Sequence, residues 1–324
     1  AGVTEPFVLD AAKQMNGKGY AIIDFPDDEI DQVADRIIAA LRDRYDWQAY
    51  RERGAGLRLQ DAWQYNDDVR RLAVNAKVLA LLEQLYGRKA WPFQTLNFPV
   101  GTQQHYHTDS VHFSSMPERF MCGVWIPLED VDLDQGPLVY YPGSHKWPIF
   151  TNEHIGHRHA DRFSTNQSVY EYLWQRLVEQ SGIVPERLVL KRGSALIWSA
   201  NLLHGGDLQT NKDKTRWSQV THYYFEDCAY YTPLNTDLPA GMIDFRRPFN
   251  IINGELAGNF YLGHELDAEF VEHVSPARVR ANRPVEQFDG DAYLQANPDV
   301  AEAGEDPWAH WLKHGKAEGR KLAP

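Results

Sequence analysis

The sequence predicts a mainly β fold with flanking helices, built as a barrel or a sandwich. From Trp91 onward, short runs rich in aromatic and β-branched residues alternate with turns that contain Gly, Pro or Asp. Amphipathic helical segments come before these runs, and short helical signals follow them. A chain of 324 residues can bury a large core, so we expect a main domain over residues 1–284 and a small helical appendage over residues 285–324.

The amino-terminal part supplies the flanking helices. A short helix is expected over residues 10–16, followed by a strand over residues 19–25 that ends at Pro26. Apolar residues recur at helical spacing after Asp27 and Asp28, and again over residues 67–87. The second of these helices is expected to end at Gly87.

Six runs are the main candidate strands of the β fold. They cover residues 93–99, 105–113, 120–126, 138–141, 194–199 and 217–225. Between them lies a long insertion over about residues 146–190, with a helix expected near residues 170–180. A segment of this length that projects from a barrel is often a lid or a wall of the substrate site.

Composition and charge limit the possible partners. The net charge of −12 disfavours nucleic acid and anionic membranes, although a small anionic substrate stays compatible with it. No apolar run is long enough for a membrane span. Cys122 and Cys228 lie in apolar strand-like runs and are expected to be small buried residues rather than a disulfide. The first residues lack the basic and apolar segments of a signal peptide, so we expect a cytoplasmic location.

One short motif predicts a metal site. In the segment His105-Tyr106-His107-Thr108-Asp109, side chains two apart on a strand point to the same face, so His107 and Asp109 can reach one ion. Two His and one carboxylate with the opposite face open is the arrangement of non-haem Fe(II) centres that bind a co-substrate and O2. His204 is the candidate for the third ligand.

A second His-x-Asp motif competes with the first. With 13 His in the chain, one such doublet is expected by chance. The rival comprises His159 and Asp161, with His154 and His157 close before them. Its surroundings are polar and lack strand alternation, which favours a surface segment that lines or covers a pocket.

Further motifs follow the first doublet in a fixed order. They are HTD at 107–109, WIPLEDV at 125–131, GPL at 136–138, PGSH at 142–145, GSALIW at 193–198 and HGG at 204–206, with Arg216 last. This ordered set resembles the phytanoyl-CoA dioxygenase family over roughly residues 15–230. The resemblance implies a double-stranded β-helix that holds Fe(II) and 2-oxoglutarate. It also implies that O2 is used to hydroxylate or otherwise oxidise a C–H bond, with succinate and CO2 as products.

The resemblance assigns roles to individual residues. His107, Asp109 and His204 match the family's iron ligands, and Arg216 matches its 2-oxoglutarate anchor. A guanidinium group suits that task because it pairs with a carboxylate through two hydrogen bonds. Halogenating relatives replace the carboxylate ligand by a small residue, so the Asp at position 109 disfavours a halogenase.

Other co-substrate contacts are expected around this set. Trp125 and Gln94 match positions of the family's co-substrate pocket, although core packing is the alternative for Trp125. Ser218 lies two residues after Arg216, on the same face of its strand, where it could donate a further hydrogen bond. His105 shares the face of His107 by alternation and could be a pocket residue or a partner of the ligands.

The sequence is also compatible with two other functions. The chain could be a cupin-like metal enzyme without 2-oxoglutarate chemistry, or a non-catalytic interaction protein associated with glycans. Arg216 argues against the first, because such an enzyme needs no buried Arg beside its metal, and the complete ligand set argues against the second. The expected substrate is a small or medium polar metabolite.

Residues 285–324 resemble a short helical module that is appended to bacterial proteins, some of them associated with glycans or the cell surface. Asp289, Asn297-Pro298 and Asp306-Pro307 mark three helix starts. The module could bind a protein partner, mediate a homo-oligomer contact or clasp the main domain.

Overall fold

The architecture described below is that of a computed structural model, which describes residues 6–54, 56–157, 167–274, 290–303, 307–315, 318 and 320–321. Contacts divide the chain into two compact units, Ala1–Arg280 and Ala281–Pro324. In the described part of the second unit, three short α-helices cover Gly290–Ala296, Pro298–Glu302 and Pro307–His310, and a π-helical turn follows at Trp311–Gly315. Two of them begin at the prolines that the sequence marks as helix starts.

The first unit begins with helices that cover the sheet. They are α1 (Pro6–Lys18), α2 (Ile30–Leu41), α3 (Trp47–Arg53), α4 (Asp67–Ala73) and α5 (Ala76–Tyr86), with strand β1 (Tyr20–Asp24) between the first two.

The single helix predicted over residues 67–87 is wrong, because α4 and α5 are separate. The side chain of Asn75 accepts hydrogen bonds from the backbone N–H groups of Lys77 and Val78 and so starts a new helix. The predicted stop is confirmed at Gly87, which has a φ of 70°.

The remaining elements of the first unit are mostly strands. In chain order they are β2 (Leu59–Gln60), β3 (Ala90–Phe98), β4 (Ser114–Met116), β5 (Met121–Pro127), β6 (Leu138–Tyr140), α6 (Ser168–Ser181), β7 (Glu186–Leu188), β8 (Ser194–Ser199), β9 (His204–Gly206), β10 (Ser218–Phe225), β11 (Ala229–Tyr231), β12 (Phe249–Asn250), β13 (Glu255–Leu256), β14 (Phe260–Tyr261), β15 (His264–Glu265) and α7 (Ala268–Val274).

Two antiparallel sheets form the centre of the first unit. The larger has the strand order β1-β8-β5-β10-β3-β2, and the smaller has the order β7-β6-β9. Buried residues from both sheets share one apolar cluster, which includes Trp125 and Val220 of the larger sheet and Tyr140 and Leu188 of the smaller. From β3 to β10 the chain passes back and forth between the sheets, as in a double-stranded β-helix. The predicted mainly β fold with flanking helices is confirmed.

The strand predicted over residues 105–113 is wrong. His107 makes an isolated antiparallel bridge with His204, and a 3-10 turn follows at Asp109–Val111. The turn forms because the backbone carbonyl of Asp109 accepts from the N–H groups of His112 and Phe113, at 2.9 and 2.8 Å. Thr108 is still extended, with φ −111° and ψ 138°, so His107 and Asp109 keep the common face that alternation predicts.

The structure also bears on the expectations for membrane spans and for the two cysteines. Among the described residues, no helix is long and apolar enough to cross a membrane. Cys122 and Cys228 are free and buried, as predicted, and burial raises the pKa of the Cys228 thiol to about 11.

Gly123 gives a prediction about packing between β5 and β8. It lies directly opposite Trp198, and a Cβ atom at position 123 would overlap the indole ring. We expect Gly123→Ala to lower the free energy of unfolding by about 1–3 kcal/mol, the usual cost of overpacking a core. Gly17→Ala is the control, because no heavy atom lies within 4 Å of its added Cβ. Chemical denaturation measures both, and equal stability of the two variants would contradict the packing described here.

Candidate active site

Three side chains converge at the bridge between His107 and β9. The Nε2 atoms of His107 and His204 lie 3.9 and 3.8 Å from Oδ1 of Asp109. All three donor atoms lie within 4.8 Å of one another, and all three residues are buried. Neutral imidazoles and a carboxylate are donors that Fe(II) accepts, and the separations leave room for one ion between them.

Backbone pairing places the two imidazoles side by side. The N–H of His107 donates to the carbonyl of His204 at 2.7 Å, and the N–H of His204 donates back at 2.9 Å. Each Nδ1 lies within hydrogen-bond distance of a backbone carbonyl, at 3.0 Å from His105 and 2.9 Å from Leu202. These contacts place hydrogen on Nδ1 and leave the Nε2 lone pairs for a metal.

Asp109 is oriented by Trp198 of β8. The indole Nε1 donates to Oδ2 at 2.8 Å, so Oδ1 is the oxygen that faces the imidazoles. Burial would raise the pKa of Asp109, but the neighbouring imidazoles and this hydrogen bond hold it below its usual value. Burial, together with His204, lowers the pKa of His107 to about 3. At neutral pH the pair is therefore a carboxylate and a neutral imidazole, the forms that bind metal.

Trp198→Phe tests this support of Asp109. Loss of the indole donor frees the carboxylate to rotate, and loss of such outer contacts typically weakens metal affinity about 10- to 100-fold. Trp174→Phe is the matched control, since Trp174 is equally buried but lies on α6 against Tyr170. Competition with a colorimetric Fe(II) chelator measures both affinities. Equal affinities in the two variants would show that Trp198 does not position the ligand.

His222 on β10 is a neighbour of the site that the sequence analysis missed. Its Nε2 lies 3.7 Å from Oδ2 of Asp109, and its Nδ1 lies 3.0 Å from Oε1 of Gln94. Burial lowers its pKa to about 4, so the imidazole is neutral near pH 7. The sequence contained a signal for His222, because side chains two apart on a strand share a face and position 222 therefore lies on the same face as Ser218.

Arg216 is fully buried, and its guanidinium has no acidic partner among the described residues. Nη1 donates to the carbonyl of Gly136 at 2.8 Å, while Nε has no acceptor. The guanidinium carbon lies 5.9 Å from the ring centre of Trp125. Burial lowers the pKa of Arg216 to about 10, which still leaves it charged at neutral pH. A buried unpaired charge is costly, so this arrangement suits an anionic ligand.

One cavity of about 80 Å³ contains the three converging side chains together with Arg216. Trp125, Tyr140 and His222 also line it. The indole N–H of Trp125 and the hydroxyl of Tyr140 are buried without a partner in the described part of the chain. Buried donors of this kind are rare in folded proteins and indicate a ligand that accepts from them.

The other predicted co-substrate contacts lie outside this lining. Gln94 contacts His222 instead. Ser218 is buried and its hydroxyl has no partner within the described segments, but it is not among the lining residues. His105 does not enter the pocket: its side chain is exposed, and it supports His107 only through its backbone carbonyl.

The rival histidine cluster falls partly outside the described residues, since His159 and Asp161 belong to the segment 158–166. His154 is exposed and accepts from the backbone N–H of Thr151 at 3.0 Å. Within the described ranges, His107, Asp109 and His204 are the group whose geometry fits a metal ion.

A two-sheet β fold that brings two His and one Asp together beside a buried Arg has the features of a non-haem iron enzyme. The comparison with family models agrees with this class. The chain belongs to the phytanoyl-CoA dioxygenase (PhyH) family, whose model matches residues 15–216. No curated protein matches the chain significantly.

Solved structures with a similar fold share little sequence with this chain. The non-haem α-ketoglutarate-dependent carbocyclase SnoK of nogalamycin biosynthesis is 18% identical, with a TM-score of 0.52 over 68% of this chain and 85% of its own. The epimerase SnoN, in complex with Fe3+, α-ketoglutarate and nogalamycin RO, is 21% identical, with a TM-score of 0.52 over 75% and 94%. EctD from S. alaskensis with bound Fe is 17% identical, with a TM-score of 0.51 over 86% and 88%.

Proposed function

We propose that this protein is an Fe(II)- and 2-oxoglutarate-dependent dioxygenase. The observation that carries the proposal is that a single cavity contains both the His107–Asp109–His204 group and the buried, unpaired Arg216. A metal site alone fits many enzymes. A metal site that shares its cavity with an unpaired guanidinium fits a metal-chelating co-substrate that carries a distant carboxylate.

The donor set fits iron in the ferrous state. His107, Asp109 and His204 would supply three ligands on one side and leave the other side open. When bound, Fe(II) supplies the O2-dependent oxidation chemistry that is coupled to decarboxylation of 2-oxoglutarate to succinate. Burial keeps the imidazole of His107 neutral. The backbone carbonyls of His105 and Leu202 orient the two imidazoles, and the hydrogen bond from Trp198 turns Oδ1 of Asp109 toward them.

The cavity residues fit 2-oxoglutarate. Arg216 would pair with the carboxylate remote from the metal, and it is already desolvated for that purpose. The unpartnered N–H of Trp125 and hydroxyl of Tyr140 would donate to co-substrate oxygens. The guanidinium of Arg216, the N–H of Trp125 and the hydroxyl of Tyr140 would each gain a hydrogen-bond partner when an anionic acceptor binds. These contacts would hold the co-substrate in one orientation.

Aromatic packing shields the metal ligands from water. The ring of Tyr140 stacks on His204 with centroids 5.5 Å apart and an interplanar angle of 18°. The indole of Trp198 lies 5.5 Å from the same imidazole. Exclusion of water strengthens electrostatic contacts in the site and limits side reactions of an oxidising centre.

The expected reaction is hydroxylation, or another oxidation, of a C–H bond in a small or medium polar metabolite. Carbocyclase and epimerase activities in the names of proteins with a similar fold show that the outcome varies on this scaffold. For the second unit we propose binding of a protein partner or a homo-oligomer contact. A cytoplasmic location remains our expectation.

Formation of succinate from 2-oxoglutarate tests the proposal. The protein should form succinate under air when Fe(II) is added, and addition of an Fe(II) chelator should stop the reaction. A cupin-like metal enzyme without 2-oxoglutarate chemistry would bind the metal and form no succinate. Metal binding without succinate formation would therefore favour the cupin-like enzyme over the proposed dioxygenase. A protein that binds no metal would favour the non-catalytic interaction function.

A further inference from the structure

A second arginine, Arg246, forms no salt bridge with the described residues and lies close to the metal site. Arg246 is held at its backbone by two hydrogen bonds: its N–H donates to Tyr230 of β11 at 2.7 Å, and its carbonyl accepts from Asn259 at 2.9 Å. The base of this side chain is therefore fixed, and the guanidinium group extends from a defined position.

One edge of the Arg246 guanidinium is free. Its carbon lies 4.8 Å from the ring centre of Phe113 and 6.0 Å from that of Phe93. Nη1 donates to Oγ1 of Thr232 at 3.3 Å, while Nε is buried and has no acceptor in the part of the chain that the structure describes. Among the described residues, no carboxylate forms an ion pair with this group. The Nε–Nη2 edge, which can bind two oxygens side by side, is unused.

A short series of contacts connects this edge to the metal ligands. The ring of Phe113 lies 5.1 Å from that of His222, and Nε2 of His222 lies 3.7 Å from Asp109. The ring of Phe113 therefore lies between the Arg246 guanidinium and His222, a direct neighbour of Asp109.

Asp61 is an acidic neighbour of Arg246. It is partly buried; burial raises its pKa to about 6, and the charge of Arg246 opposes that rise. Its carboxylate accepts from the backbone N–H of Thr95 at 3.0 Å and forms no salt bridge with Arg246. In a chain of net charge −12, an arginine that lies beside two aromatic rings without a salt bridge among the described residues favours an anionic ligand.

We propose that Arg246 binds an anionic oxygen group, a carboxylate or a phosphate, of the primary substrate. The inference rests on the proposed function, in which Arg216 binds the 2-oxoglutarate carboxylate and the metal activates O2. It narrows the substrate from a polar metabolite to a small acid or phosphate ester. Phe113 and Phe93 would flank the bound group, and the fixed guanidinium would set the distance between the anion and the oxidised carbon.

Calorimetric titration of simple anions tests the proposal. The protein is first loaded with Co(II), which replaces iron without oxidation, and with saturating 2-oxoglutarate, so that Arg216 is occupied. Inorganic phosphate, benzoate and uncharged benzamide are then titrated separately. We expect one-to-one binding of phosphate or benzoate and none of benzamide, with affinity reduced about tenfold or more in Arg246→Gln. Arg246→Lys should fall between, because it keeps the charge and loses the two-point contact.

Arg247→Gln is the matched control, since it removes the same charge from the adjacent residue and should bind like the wild type. Thermal melting verifies that each variant is folded. The proposal is overturned if Arg246→Gln binds both anions like the wild type, if Arg247→Gln loses binding equally, or if the wild type binds neither anion. Failure of the wild type to bind 2-oxoglutarate would refute the proposed function instead, and phosphate titrated into the metal-free protein would then decide the role of Arg246.

Discussion

Asp109→Ala is expected to abolish both Fe(II) binding and succinate formation. Asp109 supplies the one anionic donor of the group, and its Oδ1 lies 3.9 and 3.8 Å from the Nε2 atoms of His107 and His204. Loss of a residue that only supports a ligand costs about 10- to 100-fold in affinity, so loss of the carboxylate itself should cost at least about 100-fold. His107→Ala should have the same effect, because only two of the three metal ligands remain.

The matched control is His154→Ala. His154 belongs to the rival histidine cluster, and its side chain is exposed. Succinate assays and Fe(II) competition should give wild-type values for this variant. If Asp109→Ala keeps wild-type turnover, the assignment of Asp109 as a metal ligand is wrong. If His154→Ala then loses turnover, the metal is bound by the rival histidine cluster instead.

Arg216→Met is expected to weaken 2-oxoglutarate binding with little effect on Fe(II) binding. Removal of one partner from a buried charge pair costs about 2–5 kcal/mol, which corresponds to a loss of affinity of about 30-fold or more. The measurement is calorimetric titration of 2-oxoglutarate into the Co(II)-loaded protein, with Fe(II) affinity determined separately. An equal loss of metal affinity would indicate that Arg216 supports the fold of the site rather than the co-substrate.

The same substitution should have the opposite effect on the ligand-free protein. Arg216 is fully buried, and burial lowers its pKa to about 10, which shows that its charge is poorly solvated. Replacing a buried charge by an apolar side chain of similar size is often neutral or stabilising. Arg216→Met should therefore melt at the same or a higher temperature without 2-oxoglutarate, and 2-oxoglutarate should raise the melting temperature of the wild type alone.

The sequence predicted the larger part of the β fold because its strands have strong local signals. The run over residues 194–199 coincides with β8, and the run over 217–225 differs from β10 by one residue. Both are rich in aromatic and β-branched residues and end at turns. The candidate site residues His107, Asp109, His204 and Arg216 were predicted from ordered motifs, and the structure brings all four to one cavity.

The contacts that surround the metal ligands were not predictable in the same way. Trp198 lies 89 residues from Asp109 in sequence, and no local period reports that pairing. Gln94 and His222 are opposite each other on β3 and β10, a register that is known only once the strands are paired. Arg246 follows no motif, and its position depends on pairing with β11.

Local hydrogen bonds that compete with the apolar pattern explain the two wrong predictions of secondary structure. Alternation over residues 105–113 suggested a strand, but the carbonyl of Asp109 accepts hydrogen bonds from two following N–H groups and turns the chain. Apolar spacing over residues 67–87 suggested one helix, but the cap at Asn75 divides it. In both cases one polar group outweighs a pattern of apolar residues.

Anaerobic titration of 2-oxoglutarate into the Fe(II)-loaded protein tests the central claim most directly. A 2-oxo acid that chelates Fe(II) gives a visible charge-transfer band, so the absorption reports co-substrate bound to this metal. We predict that the band appears with one-to-one stoichiometry in the wild type, is lost in Asp109→Ala, and requires much higher 2-oxoglutarate concentrations in Arg216→Met. An iron-loaded wild type that shows no band, or an Arg216→Met variant that saturates like the wild type, would contradict the account.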